Sequence, residues 1–187
     1  MDQQSMSPQS EKEENFEINT QEAPVQVPYS GDAIMVKTGN REFSLVPVAC
    51  YSASVLVVGE KLYDDEDGDL VPLDLCVVWG VLADPYVLQY TDFMQEERSC
   101  TCIYDEGSPA DDPEVLNQFV NLHLIPASMH IFEVLTSIRP GDEIVLKGYL
   151  VNIYVDGYPY IETSTVWTDS GPGSCEILYV TQITTGP

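Results

Sequence analysis

The sequence predicts a mainly β protein, a small Greek-key, OB-like barrel or sandwich with one amphipathic helix and one or two short helical turns. Three observations carry this. Short runs of β-branched and aromatic residues recur with turn signals every ten or so residues. Gly-Asn and Asp-Gly pairs stand between such runs, at Gly39-Asn40, Asp67-Gly68 and Asp156-Gly157. One stretch has helical periodicity, with Ile131, Val134, Leu135 and Ile138 at i, i+3, i+4 and i+7.

Taken in order, residues 1 to 31 are acidic, polar and proline-containing, and are expected to form a disordered tail. Residues 32 to 187 are expected to form a single β-rich domain. It opens with a hairpin, "AIMVKT" and "REFSLVPVA", turning at Gly39-Asn40. "YSASVLVVGEKLY" reads as a strand, the acidic stretch follows, and "LVPLDLCVVWGVL" reads as its hairpin partner across Asp67-Gly68. Asp84-Pro85 and Asp112-Pro113 each open a short helical turn, with the acid as N-cap and proline at N1. "YTDFM", "RSCTCIYD" and "FVNLHLIPA" are strand candidates. Ser128 caps the amphipathic helix and Pro140-Gly141 ends it. "DEIVLKGYLVNIYV" is a long strand in which Gly148 marks a bend or bulge. "YPYIETSTVW" returns through Asp156-Gly157, and "CEILYVTQI" closes the domain.

Composition limits function. The 187 residues hold 31 acids against seven Lys and Arg, a formal net charge of -24. Nucleic-acid affinity comes largely from Lys and Arg neutralising phosphates, and the cations here are scattered, so no nucleic acid and no anionic membrane surface is expected as a partner. No apolar run reaches the length of a membrane span. Five cysteines sit mostly in apolar, strand-like sequence and read as free thiols in a reducing compartment. The opening residues lack an apolar signal region, and the expectation is a cytoplasmic protein unless a targeting segment precedes them.

The acidic stretch "LYDDEDGDLVPLD" invites a calcium reading. With Gly68 at the sixth position of an EF-hand loop, Asp65 and Asp67 fall at the third and fifth. The first position is then Tyr63 and the twelfth Asp74 rather than Glu, so a solvated hairpin tip is the plainer reading. Asp65, Asp67 and Asp69 stay as weak metal candidates. Zinc spacing is absent from His123, His130, Cys100 and Cys102. No cofactor is expected. A nucleophilic set of Cys175, His123 and Asp169 can be assembled, but Cys175 follows a Gly-rich turn into a strand, unlike the strand-to-helix turn of a nucleophile elbow.

Four stretches resemble a family of uncharacterised bacterial proteins: "LVPLDLCVVWGVLADP", "NLHLIPA", "RPGDEIVLKGYLV" and "TDSGPGSCE". The shared pattern places Pro72, Asp74, Leu75, Trp79 and Gly80, then Asn121 and His123 to Ala127, then Gly141-Asp142 and Gly148, and last Gly171, Gly173, Cys175 and Glu176. Where the family has an upstream His this chain has Gln118, and where it has tryptophans after the Asp-Gly turn this chain has Tyr158 and Tyr160. The resemblance implies a β-rich fold and no assigned activity.

The leading expectation is therefore a non-enzymatic binding or interaction module for a protein or small ligand. Tyr158, Tyr160 and Trp79 are its candidate ligand-binding residues, because OB-like barrels use aromatic faces. Two alternatives stand beside it: a hydrolase-like enzyme using the Cys175 and His123 region, and an acidic decoy that binds a basic protein.

Overall fold

A 22-residue strand organises the molecule. In the computed structural model, which describes residues 18–64, 68–166 and 176–186, β1 (Val25–Pro28) and β2 (Ile34–Thr38) precede β3 (Arg41–Leu62). From Phe43 to Val57 every second residue of β3 is buried, the period of a strand with one face on a core. β3 pairs antiparallel with β4 (Leu73–Val78) through Leu56 to Leu62, and with β8 (Glu143–Val155) through Phe43 to Leu56. β4 continues to β7 (Phe119–Pro126), β7 pairs in parallel with β10 (Glu176–Thr185), and β10 pairs antiparallel with β8. The five strands β3-β4-β7-β10-β8 thus close on β3. This is the OB-type Greek-key barrel, and it settles the choice between barrel and sandwich.

The helix α3 (Met129–Ser137) crosses from β7 to β8, as the barrel topology requires. Ser128 accepts a hydrogen bond from the Ile131 amide at 3.2 Å, and Ile131, Leu135 and Ile138 pack into the barrel core with Val55, Leu75, Leu122, Leu146 and Leu178. A second cluster, Phe43, Leu45, Leu70, Val71, Ile125, Val151, Ile153 and Ile177, lies on the other face of several of the same strands. Gly148 sits where β10 shifts register between Val180 and Gln182, and a Cβ there would collide with the Tyr179 carbonyl oxygen. The bulge expected at this glycine is present.

Between β4 and β7 the chain inserts a 3-10 turn over Gly80–Ala83, α1 (Pro85–Leu88), a separate two-stranded ribbon of β5 (Thr91–Glu96) and β6 (Ser99–Tyr104), and α2 (Pro113–Leu116). Asp84 and Asp112 cap the two short helices by accepting from the amides of Tyr86 and Glu114 at 2.8 and 2.9 Å. β9 (Tyr158–Ile161) returns on β8 through Asp156 and Gly157, both at positive φ.

Four expectations need correction. The tail does not extend to residue 31: Ile18 and Thr20 are buried, the Thr20 carbonyl accepts from the Gly80 amide at 2.8 Å, and β1 pairs with Ala49 to Ser52. A single apolar residue every few positions was enough here because β3 offered an open edge. The hairpin expected across Asp67-Gly68 is present as the antiparallel β3–β4 pair, but its connection spans residues 63 to 72, of which 65 to 67 lie outside the described residues. "LVPLDLCVVWGVL" is not one strand. It ends at Val78, after which Gly80 takes a φ of +61° and the chain turns. The cysteines are not all free: Cys76 on β4 and Cys100 on β6 form a disulfide, which removes the ground for reading a reducing compartment. Among the described residues, no helix is long and apolar enough to cross a membrane.

Candidate ligand cavity on the barrel face

An acid in an otherwise apolar strand must find donors or unfold the strand. Asp74 is that acid, fully buried on β4. The antiparallel pairing of β4 with β7 sets His123 directly opposite, and its Nδ1 donates to Asp74 Oδ1 at 2.8 Å. Asn121, two residues earlier on β7, reaches Asp74 Oδ2 with its Nδ2 at 3.4 Å and also donates to the Arg98 carbonyl at 3.1 Å. Gln95 on β5 donates to Asn121 Oδ1 at 2.8 Å.

Arg98 arrives from the ribbon. Glu97 and Arg98 form the two-residue turn between β5 and β6, both at positive φ (46° and 63°), the conformation a type I′ turn demands and non-glycine residues resist. The turn aims the guanidinium inward. Its Nη1 donates to the Val71 carbonyl at 2.8 Å and to Asp74 at 3.2 Å, and its centre lies 3.4 Å above the Tyr63 ring. Tyr63 lies beside Asp74 as well. Burial and the neighbouring Asp74 charge push its phenol up to about 12, with Arg98 opposing.

Beside this network opens a cavity of about 200 Å³. Arg98 and His123 form its polar wall; Phe43, Leu70, Val71, Ile153 and Ile177 form its apolar floor; Arg41, Tyr160 and Ile161 stand at its rim. Apart from Arg98, from the β5–β6 turn, the residues come from the barrel strands, the β3–β4 connection and the β8–β10 connection, which is where OB barrels hold ligands. Arg41 stacks over the rings of Phe43 and Tyr160, at 4.9 and 5.6 Å from their centroids.

The expected site residues divide as follows. Tyr160 lines the cavity; Tyr158 is 74% exposed but is not part of its lining. Trp79, expected on the same surface, is buried in the barrel core. His123 lines the cavity, but its partner is Asp74, not Asp169. Asp169 and Cys175 lie outside the described residues, as do Asp65 and Asp67. Asp69 is exposed and borders a different groove, with Tyr63, Met129 and Phe132. Among the described residues, no three His, Cys, Asp or Glu side chains are grouped to hold a metal ion. Gln118, which stands where the family pattern has His, accepts from the Leu82 amide at 3.1 Å and pins the turn after β4. Sequence reasoning missed Asp74, Arg98, Arg41 and Phe43. Asp74 had a signal, its charge inside an apolar run; Arg98 had none, because its placement depends on a turn that pairs two non-glycine residues.

No family model and no curated protein matches the chain. The solved structure of a small single-stranded DNA-binding protein from Streptomyces coelicolor is similar over 83% of this chain and 94% of its own, at 12% identity and a TM-score of 0.32. The expectation that nucleic acid is no partner is corrected at this point. That solved structure is itself of a single-stranded DNA-binding protein.

Proposed function

We propose that this protein is a non-enzymatic binding module whose ligand occupies the cavity between the β3–β4 and β8–β10 connections. One observation carries the reading: the cavity is mostly apolar, with a few convergent polar groups held rigid by a buried network, the usual make-up of a ligand site. Among the described residues, none that lines it is Ser, Thr or Cys. The His123–Asp74 pair supports a second, hydrolytic reading, because Asp74 orients the imidazole as a general base would require.

Fragment screening by two-dimensional NMR tests the proposal. Hits are expected to perturb Phe43, Ile153, Tyr160 and Ile177 together, and Ile161→Trp at the rim is expected to abolish those shifts. Hits that cluster elsewhere, or that ignore Ile161→Trp, would overturn it. Ester turnover lost in His123→Ala would favour the hydrolytic reading instead.

A further inference from the structure

The chain has three arginines and 31 acids, so an arginine without an acidic neighbour is the unexpected case. Arg98 pairs with Asp74 at 3.2 Å and Arg139 with Glu60 at 3.8 Å. Arg41 has no carboxylate partner among the described residues, and it is the arginine at the cavity rim. Its guanidinium rests instead against two aromatic rings, Phe43 and Tyr160. Stacking uses the flat face of a guanidinium and leaves its in-plane N–H edge able to bond an oxyanion in a fork. The rings also hold a long side chain in one place, so less freedom is lost when it meets a ligand. Below the rim the cavity floor is hydrocarbon, from Leu70, Val71, Ile153 and Ile177.

Resting on the cavity being the ligand site, we infer that its ligand is a small amphipathic anion: an apolar acyl or aryl group inserted among these side chains, ending in one carboxylate or phosphate-type oxyanion bound by Arg41. The apolar part enters first and is buried against Phe43 and Ile177. The charged end stays at the rim, where Arg41 supplies the opposite charge and water still reaches the group. Arg98 closes the wall behind and does not supply the binding charge, because Asp74 already neutralises it. His123 faces the same space, with Asp74 holding its Nδ1.

The test compares ligands matched in size and differing in charge. Octanoate and 3-phenylpropanoate, 1-octanol and octylammonium are titrated separately into the intact protein, and NMR shifts at Phe43, Tyr160 and Ile177 are followed. The acids are expected to bind and octylammonium is not. Arg41→Gln is expected to weaken the acids about tenfold, the loss of a charge-assisted contact, with octanol unchanged. Arg41→Lys, which keeps the charge and loses the fork, is expected to fall between. Circular dichroism checks that each variant folds. Binding of octanol and the acids with equal affinity, unaffected by Arg41→Gln, would overturn the anion assignment and leave the cavity as a site. Absence of binding by every probe would overturn the cavity reading itself.

Discussion

Asp74 is the residue on which the candidate site depends. A fully buried carboxylate persists because His123, Arg98 and Asn121 all give it hydrogen bonds or charge. Removing it strands those donors in a dry interior. Asp74→Ala is therefore expected to cost about 3–5 kcal/mol in urea unfolding, far more than a surface acid. Its importance was partly legible in sequence, since an acid between Leu73 and Leu75 cannot be solvated on either face of a buried strand. Cys102 makes a contrasting case. Burial, with a smaller contribution from Asp92, pushes its thiol up to about 11. Little thiolate forms near neutrality, so native iodoacetamide labelling of Cys102 is expected to be slow at pH 8. The rate should climb as pH approaches 11. Rapid labelling at pH 8, mapped by peptide mass spectrometry, would contradict this.

Among the elements, the β5–β6 ribbon is the least self-sufficient, because an isolated pair of strands is marginal in water. Its attachments are the Gln95–Asn121 bond, the Arg98 contacts and the Cys76–Cys100 disulfide, which closes 24 residues of chain. Loop-closure entropy assigns such a cross-link about 3 kcal/mol. Cys100→Ser is expected to lower stability by about that amount, and hydrogen exchange should quicken first at Thr91 to Tyr104. Equal acceleration throughout the barrel would show that the ribbon is not a separate unit. Elements with strong local chemistry were the ones legible in sequence: the two Asp-Pro caps, the Ser128 cap, the Gly39 and Asp156-Gly157 turns. β1 was not, since four residues of modest apolarity form a strand only where a neighbour leaves an edge unpaired.

For the whole molecule, the barrel class was legible because alternation and turn spacing are local signals repeated along the chain. Its closure was not, since pairing β3 with β8 joins segments about a hundred residues apart and leaves no mark in either alone. The charge of -24 acts at this scale as well. Self-repulsion weakens a compact state and salt screens it. Raising sodium chloride to about 0.3 M is expected to raise Tm by roughly 2–4 °C, the equivalent of about 1 kcal/mol for a chain of this size. A fall in Tm, seen by calorimetry, would mean that attractive pairs outweigh the repulsion.

The long β3 strand also has a consequence for how the chain is made. Its partner on the closing side, β8, begins 87 residues after Leu56, at Glu143. At about 5–20 residues per second, a ribosome delivers that stretch in roughly 4–17 s. For that time β3 waits with an apolar face and an unpaired edge, the profile of a segment that aggregates. The β2 hairpin and β1 are already out, and they pair with β3 over Arg41 to Leu45 and Ala49 to Ser52. These two small strands thus close the opposite edge of β3 first, and its β8 edge stays open until the partner that completes the barrel emerges.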